Sequence, residues 1–469
     1  MTRRPALPAD PAATSATRAT LRGASLPGSA LPSAGVPGAT FGLPTAVALL
    51  VSNMVGTGVF TSLGFQVLDL TSGFALLALW AVGGCLALSG ALCYAELGAM
   101  YPQSGGEYVY LTRAWSPRLG FIGGFVSMTA GFAAPIALAG IAFGRYASAV
   151  VPIAPMAATV GVLVVVALVH WTHVAGARIF QVTTTSITVV TICAFIATGL
   201  AIGPVEAISF APSPTAWREI ASAPFAISLI YVVYAYTGWN SIGYVAGEIR
   251  APQRTIPLAL SVAVVLVAVL YLLLHLVFLR TVPIAALRGT VEVGALSGAR
   301  ILGPIGGRVM SGIISLVLVA TISGFLMAGS RVTQAVGAGS PGLRWLAARS
   351  AGGVPRRALA LQLGLIALLI VTASFEQVLA YAGIVLNLCN LLAVTGLMRL
   401  RRTAPDTPRP FRTPLYPLAP LTFAGLSLWM IGFVIWQRPA VLLAAAGTIA
   451  LGGLLFRWAS GGRARPVTP

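Results

Sequence analysis

Side chains able to do covalent or metal chemistry are scarce in this chain. Its 469 residues include ten Asp plus Glu, three His and four Cys. Glu96, Glu107 and Glu248 stand at the edges of long apolar runs, His275 is alone inside one, and Cys85, Cys93, Cys193 and Cys389 each sit in apolar sequence. There is no ligand spacing for a metal, no nucleophile with a base partner and no glycine loop for a phosphate. No cofactor, metal or enzymatic activity is expected, and ATP-driven pumping within this chain is argued against. The cysteines read as small buried hydrophobes, since no disulfide framework or zinc spacing links them.

What remains is polar and glycine residues in the middle of apolar runs. One run reads VSNMVGTGVF over 51–60, where Gly56 and Gly58 fall in mid-span. Another reads YAYTGWNS over 234–241, with Gly238 flanked by Thr237 and Asn240. Each interior glycine weakens a helix by about 1 kcal/mol relative to Ala. Glycine is common in membrane helices and small residues also serve helix packing. Two interruptions at equivalent positions of two repeats, each with polar neighbours, instead point to a transporter binding site.

Such positions need membrane-spanning helices to hold them. The chain is 57% hydrophobic and 8% charged, with mean hydropathy +0.91. Soluble domains carry about 25% charged residues, so lipid must cover much of this surface. Apolar runs of roughly 18 residues or more span a bilayer. The spacing predicts twelve, near 41–66, 73–98, 119–148, 153–171, 178–202, 222–247, 256–280, 307–336, 358–374, 377–399, 415–436 and 439–458. These are too long and too continuously apolar for barrel strands. The net charge is +19 and every basic residue is Arg. The Arg residues lie in short loops between spans, which reads as membrane orientation rather than nucleic-acid binding. Most fall on one side when both termini are cytoplasmic. Residues 1–39, rich in Ala, Pro, Ser, Thr and Gly, read as a disordered cytoplasmic tail and not as a signal peptide. Residues 459–469 read as a second cytoplasmic tail.

Glu96, Glu107 and Glu248 all fall near the inner interface, Glu107 in the cytoplasmic loop after span two, and pairing with loop arginines is favoured there over proton relay. Arg331 is the expected partner of Glu248, in a network that would close an inner gate. His275 reads as a packed histidine, with proton coupling as the alternative. Arg145 and Arg280 lie near outer helix ends, where long side chains snorkel to water.

At this point three stretches carry a resemblance: GTGVF at 56–60, YAELGAMYPQSGGEYVYL at 94–111, and YAYTGWN at 234–240 continuing through GEIRAPQRTIP at 247–257. They are similar to GSGIF, YaELgtmiPrSGGeYaYl and FAYgGWN…EEiknPxRniP of the amino acid–polyamine–organocation superfamily. Within it the chain resembles bacterial permeases related to L-type amino acid transporters. Ser330-Arg331-Val332 adds a weaker match, and the resemblance covers about 40–400. It implies an all-α fold of ten core helices in two inverted five-helix repeats, like the leucine transporter, with helices 1 and 6 broken and two helices appended. The repeats would be 40–202 and 203–400, with helices 11 and 12 in 401–458.

The resemblance also implies the site. A substrate carboxylate would rest on the N–H groups of Thr57 and Gly58, where the broken helix presents its positive end. Carbonyls of Tyr234, Ala235 and Thr237 would accept from the ammonium. Asn53, Met54, Val55, Gly56, Gly238 and Asn240 would complete the pocket, with Tyr234 as an aromatic gate. Gly58→Val is expected to abolish uptake by blocking the carboxylate. Glu96, Glu248, Thr321, Ser323 and Arg331 are the gating or coupling candidates.

The pattern departs from the family in span five. Several proton-coupled members carry a Lys there, and Ile187 stands at the aligned position. Thr321 and Ser323 offer hydroxyls for a sodium ion, although such residues commonly bond between helices. Coupling to a proton, to sodium, or exchange without an ion all stay open. The acidic residues that a polyamine demands are missing at mid-depth, so a neutral or zwitterionic amino acid is favoured over an amine. A channel would show a filter or charged ring. A non-transporting amino acid sensor would keep the same pocket.

Overall fold

A computed structural model describes residues 41–172, 177–202, 208–350 and 353–459. Both expected tails fall outside the described residues, except for the edge at Ala459. Among the described residues the chain is helical, with no strand beyond one isolated bridge between Phe41 and Ile249. A backbone without water must satisfy its N–H and C=O groups within the segment, and helices do this.

The first interrupted run forms α1 (Leu43–Met54), α2 (Thr57–Thr61) and α3 (Leu63–Gln66). α4 (Gly73–Met100) is capped by Ser72, which accepts from Ala75 N–H, and it ends just before Pro102. α5 (Glu107–Ala114) and α6 (Pro117–Val126) lead into a π-helical turn, Ser127–Ala133, and then α7 (Ala134–Ser148). Pro135 explains that turn: it has no N–H to give the carbonyl one helical turn back, so the ladder shifts register locally. The expected third span is therefore one helix with a π bulge.

α8 (Pro155–Thr172) and α9 (Ala177–Ala201) follow, then α10 (Pro214–Ile220) and α11 (Ala223–Tyr236), which are bent by 63°. Beyond α11 the chain narrows into 3₁₀ turns over Trp239–Tyr244 and Ala246–Glu248 before α12 (Pro252–Thr281). After α13 (Ile284–Leu287), α14 (Val293–Ala338) is kinked at Leu302 and Gly303, ahead of Pro304. The last helices are α15 (Arg356–Thr372), α16 (Phe375–Thr403), α17 (Leu418–Gln437) and α18 (Pro439–Ala459).

By length and composition, eight described helices can cross a membrane, or nine if the bent α10–α11 pair is one span. The other expected spans fall on α8, α9 and α15, whose apolar stretches are shorter or only partly described. α12 packs along α4, α14 along α7, and α1 against α12. The shared core includes Leu50, Trp80, Tyr94, Tyr231 and Tyr271. Large apolar side chains such as Val371, Ile305, Leu443 and Trp436 point outward, where a water-soluble protein would carry charge. Two cysteines expected to be buried, Cys85 and Cys193, also lie on this outer surface; Cys93 and Cys389 are buried.

Candidate functional site

The two interrupted runs cross at the centre of the molecule. α1 stops at Met54, and Val55 and Gly56 carry the chain in non-helical conformation to α2. α11 stops at Tyr236, Thr237 is extended (φ −62°, ψ 144°), and Gly238 turns at φ +130°. Side chains rarely adopt that φ, and a Cβ on Gly238 would lie 2.4 Å from the Asn53 carbonyl oxygen. Reciprocally, a Cβ on Gly58 would lie 2.6 Å from Cα of Ala235. Each break thus uses a glycine to touch the backbone of the other.

Side chains lock this crossing. The Tyr271 hydroxyl of α12 donates to the Met54 carbonyl (2.6 Å) and lies 3.1 Å from that of Ala235. It serves the last carbonyls before both breaks, which have no helical partner. Asn53 Nδ2 donates to Ser241 Oγ across the two segments (3.1 Å) and to Leu49 O (2.9 Å). Of the carbonyls expected to await an ammonium, that of Ala235 is thus already engaged, and that of Tyr234 accepts from Thr237 N–H (2.9 Å). Each carbonyl retains a second lone pair.

Beside the crossing lies a cavity of about 300 Å³, at the small end of the ~300–1,000 Å³ range of small-molecule sites. The structure brings Asn53, Met54, Gly56, Thr57, Gly58, Tyr234, Ala235, Thr237, Gly238 and Asn240 to its wall. Val55 is left out: it is buried, with its N–H on Val51 O. Thr321, Glu248 and Arg331 line the same cavity, whereas Glu96 and Ser323 do not. Ser323 Oγ lies 2.8 Å from His170 Nε2, so its hydroxyl joins α14 to α8.

Sequence reasoning missed the opposite wall, which the π turn supplies with Gly131 and Phe132, α14 with Gly324 and Phe325, and α16 with Leu386. The available signal was Gly131 four residues before Pro135. Glu248 and Arg331 stand at one mouth, with Phe41 and Ser104. There the chain is laced by Phe41 N–H donating to Glu248 O (2.7 Å). Phe60 and Tyr146 lie outside the cavity lining. Tyr146 donates its hydroxyl to Phe60 O (3.0 Å) and accepts from Gly294 N–H (3.2 Å), all in buried surroundings.

The acidic residues divide into three environments. Glu96 is fully buried and accepts from Arg401 Nε (3.0 Å) and Nη2 (2.5 Å) and from Thr413 N–H (2.7 Å), with Arg409 Nε at 3.4 Å. This is the expected arginine pairing. Glu248 and Arg331, by contrast, form no ion pair within 4.0 Å in this structure. Burial pushes the Glu248 carboxyl above its ordinary range, and the Arg331 charge partly offsets this. Glu107, expected in a loop beside arginines, is instead buried and has no described cationic partner within that distance. Among described residues, Glu248 and Arg331 are the charged groups of the cavity wall. His275 is fully buried, stacked on Trp80 at 3.6 Å, with Nδ1 2.8 Å from Tyr271 O; it is packed as expected, but Nε2 has no hydrogen-bond partner among the described residues.

Comparison with known proteins follows the same lines. The profile of a family described as amino acid permease matches residues 41–452. The b(0,+)-type amino acid transporter 1 of Mus musculus is 26% identical over 428 residues, covering 88% of this chain and 86% of that protein. The human cystine/glutamate transporter is 27% identical over 407 residues, covering 84% and 79%. The Asc-type amino acid transporter 1 of Mus musculus is 25% identical over 420 residues, covering 85% and 77%.

Proposed function

Because the chain belongs to the amino acid permease family, a family of multi-pass membrane transporters and not of enzymes, we propose that it carries neutral or zwitterionic amino acids across the bacterial cytoplasmic membrane by alternating access. The observation that carries this reading is the crossing of two broken helices beside a cavity with no charged group at its depth. Non-helical backbone at membrane depth is tolerated where it lines a cavity. The first turn of α2 offers N–H groups of Thr57 and Gly58 to a carboxylate. The Thr237 carbonyl, with the free lone pairs of Tyr234 and Ala235, takes the ammonium. Phe132, Phe325 and Tyr234 surround the side chain with apolar surface. Twelve spans, in two inverted five-helix repeats plus two helices and with both termini cytoplasmic, complete the arrangement. The unpaired Glu248 and Arg331 then mark an open cytoplasmic mouth.

Substrate analogues test the head-group assignment. In proteoliposomes, an amino acid that competes for uptake should lose about tenfold or more in potency when its carboxylate becomes an amide or its amine is removed, because buried partners are left unpaired. Equal competition by the decarboxylated amine would instead support the amine-exchanger reading. Competition for binding with no uptake at all would support the sensor.

A further inference from the structure

Behind the cavity wall lies a polar cluster of which the substrate reading uses Asn240 alone. Its centre is Glu107, the first residue of α5, which is 2% exposed. Asn240 Nδ2 donates to Oε1 at 2.7 Å, and the Tyr244 hydroxyl lies 2.5 Å from Oε2. The Tyr94 hydroxyl lies 3.3 Å from Oε1 and 2.9 Å from Asn390 Oδ1. A buried carboxylate without a cation must be held by its donors or take up a proton. Glu96, only one span end away, has two guanidinium partners; Glu107 has neutral ones.

The hydrogen bonds around Glu107 can be satisfied in both protonation states. With Glu107 ionised, Tyr244 donates to Oε2 and can accept from Ser127 Oγ, 2.7 Å away. With Glu107 protonated, the chain reverses. Glu107 donates to Tyr244, Tyr244 to Ser127, and Ser127 to the Gly123 carbonyl at 2.9 Å. Asn240 and Tyr244 both line the cavity and belong to the 3₁₀ segment just after the second break. Ser127 opens the π turn that supplies Gly131 and Phe132 to the opposite wall, and π bulges recur at functional sites. We propose that Glu107 is a proton-binding site linked to occupancy of the central cavity, so that proton and amino acid alter each other's affinity. The inference rests on the transport reading above. Linkage is reciprocal, and the shared element is the segment carrying Asn240 and Tyr244.

Other titratable groups near Glu107 are Tyr94 from α4, Tyr110 from α5, Tyr244, and Cys389 from α16. Phenols and thiols ordinarily titrate above pH ~8, so Glu107 is the carboxyl of the cluster. Glu248, opposite Arg331 at the mouth, is the competing carboxyl of the cavity.

The test is counterflow in proteoliposomes of the full chain, with a labelled mixture of neutral L-amino acids and equal pH on both sides. It is run between about pH 4 and 8, a window that spans the ordinary ranges of carboxylates and imidazoles. Exchange by the unaltered chain should change by about fivefold or more. Glu107→Gln should flatten the profile, Glu107→Asp should keep it with a displaced midpoint, and Glu248→Gln should leave its shape intact. A flat profile of the unaltered chain overturns the proposal. So does a Glu107→Gln variant that titrates like it, or a flat Glu248→Gln profile. If Glu107→Gln does not reach the membrane, Tyr244→Phe, which cuts the chain to Ser127, should displace the midpoint; an unmoved midpoint overturns the proposal. Absence of exchange at every pH would fell the transport reading itself, whereas exchange without pH dependence fells this inference alone.

Discussion

Gly58 and Gly238 have a packing duty that their neighbours lack. A methyl on either would press into backbone of the facing break, at 2.6 Å from Ala235 Cα and 2.4 Å from Asn53 O. Overpacking of this kind costs about 1–3 kcal/mol, and here the strain falls on the geometry of the cavity. Gly58→Ala and Gly238→Ala should each lower uptake by an order of magnitude or more, in protein that still reaches the membrane. Gly56→Ala is the internal control for stability, since its Cβ would meet only Thr321, at 3.7 Å; its melting temperature should stay near that of the unaltered chain. Equal melting temperatures for all three would contradict the crossing. At Gly58 the sequence suggested collision of a side chain with a carboxylate, and the structure adds a collision with Ala235. Likewise carbonyls short of helical partners near Tyr234 were legible, although Tyr234 and Ala235 lie in the last turn of α11 and not in unwound chain. That Tyr271 already serves one of them was not, because its partner residues lie far off in sequence and only the packing of α12 brings them together.

At the scale of elements, local chemistry decided what could be read. Glycines inside apolar runs marked both breaks, whereas the π turn was hidden because Pro135 in an apolar stretch also fits a plain kink. Glu107 was expected in the cytoplasmic loop after span two; it instead opens α5, which turns back into the bundle and buries it. Glu96 illustrates how a gating candidate and a structural clamp differ. Its carboxylate holds Arg401, at the end of α16, and Thr413 in the segment before α17 against α4. Glu96→Ala would strand two guanidinium groups, at a cost on the order of 3 kcal/mol for a buried pair. Thermal unfolding in detergent should shift down markedly, while the surviving protein keeps its apparent KM. A changed KM with unchanged stability would return Glu96 to the gate. For Glu248 and Arg331 the expectation is opposite, since they face the same mouth without pairing. If they join when that mouth closes, Arg331→Glu should slow uptake by like-charge repulsion, and the double exchange Glu248→Arg with Arg331→Glu should restore part of the rate. A double variant no faster than the single one would sink the gate.

The whole molecule follows from one imbalance: too much apolar surface for a water-soluble core, distributed in runs long enough to cross a bilayer. That much was plain from composition, and the outward-facing Val371 and Trp436 agree with it. Burial was less legible than span position. Cys85 and Cys193 lie within apolar helices yet face outward, because apolar sequence in a membrane helix does not distinguish lipid from core. The cavity lining includes exposed Arg331 and leaves out the buried, hydrogen-bonded pair Phe60 and Tyr146. The most direct test of the account is uptake of labelled amino acids and polyamines into proteoliposomes, each run with a proton gradient, a sodium gradient, or unlabelled amino acid inside. The account predicts that one class of neutral amino acids enters, under a gradient or by exchange, and that polyamines do not. Movement of no amino acid under any of the three conditions, with binding still measurable, would contradict it.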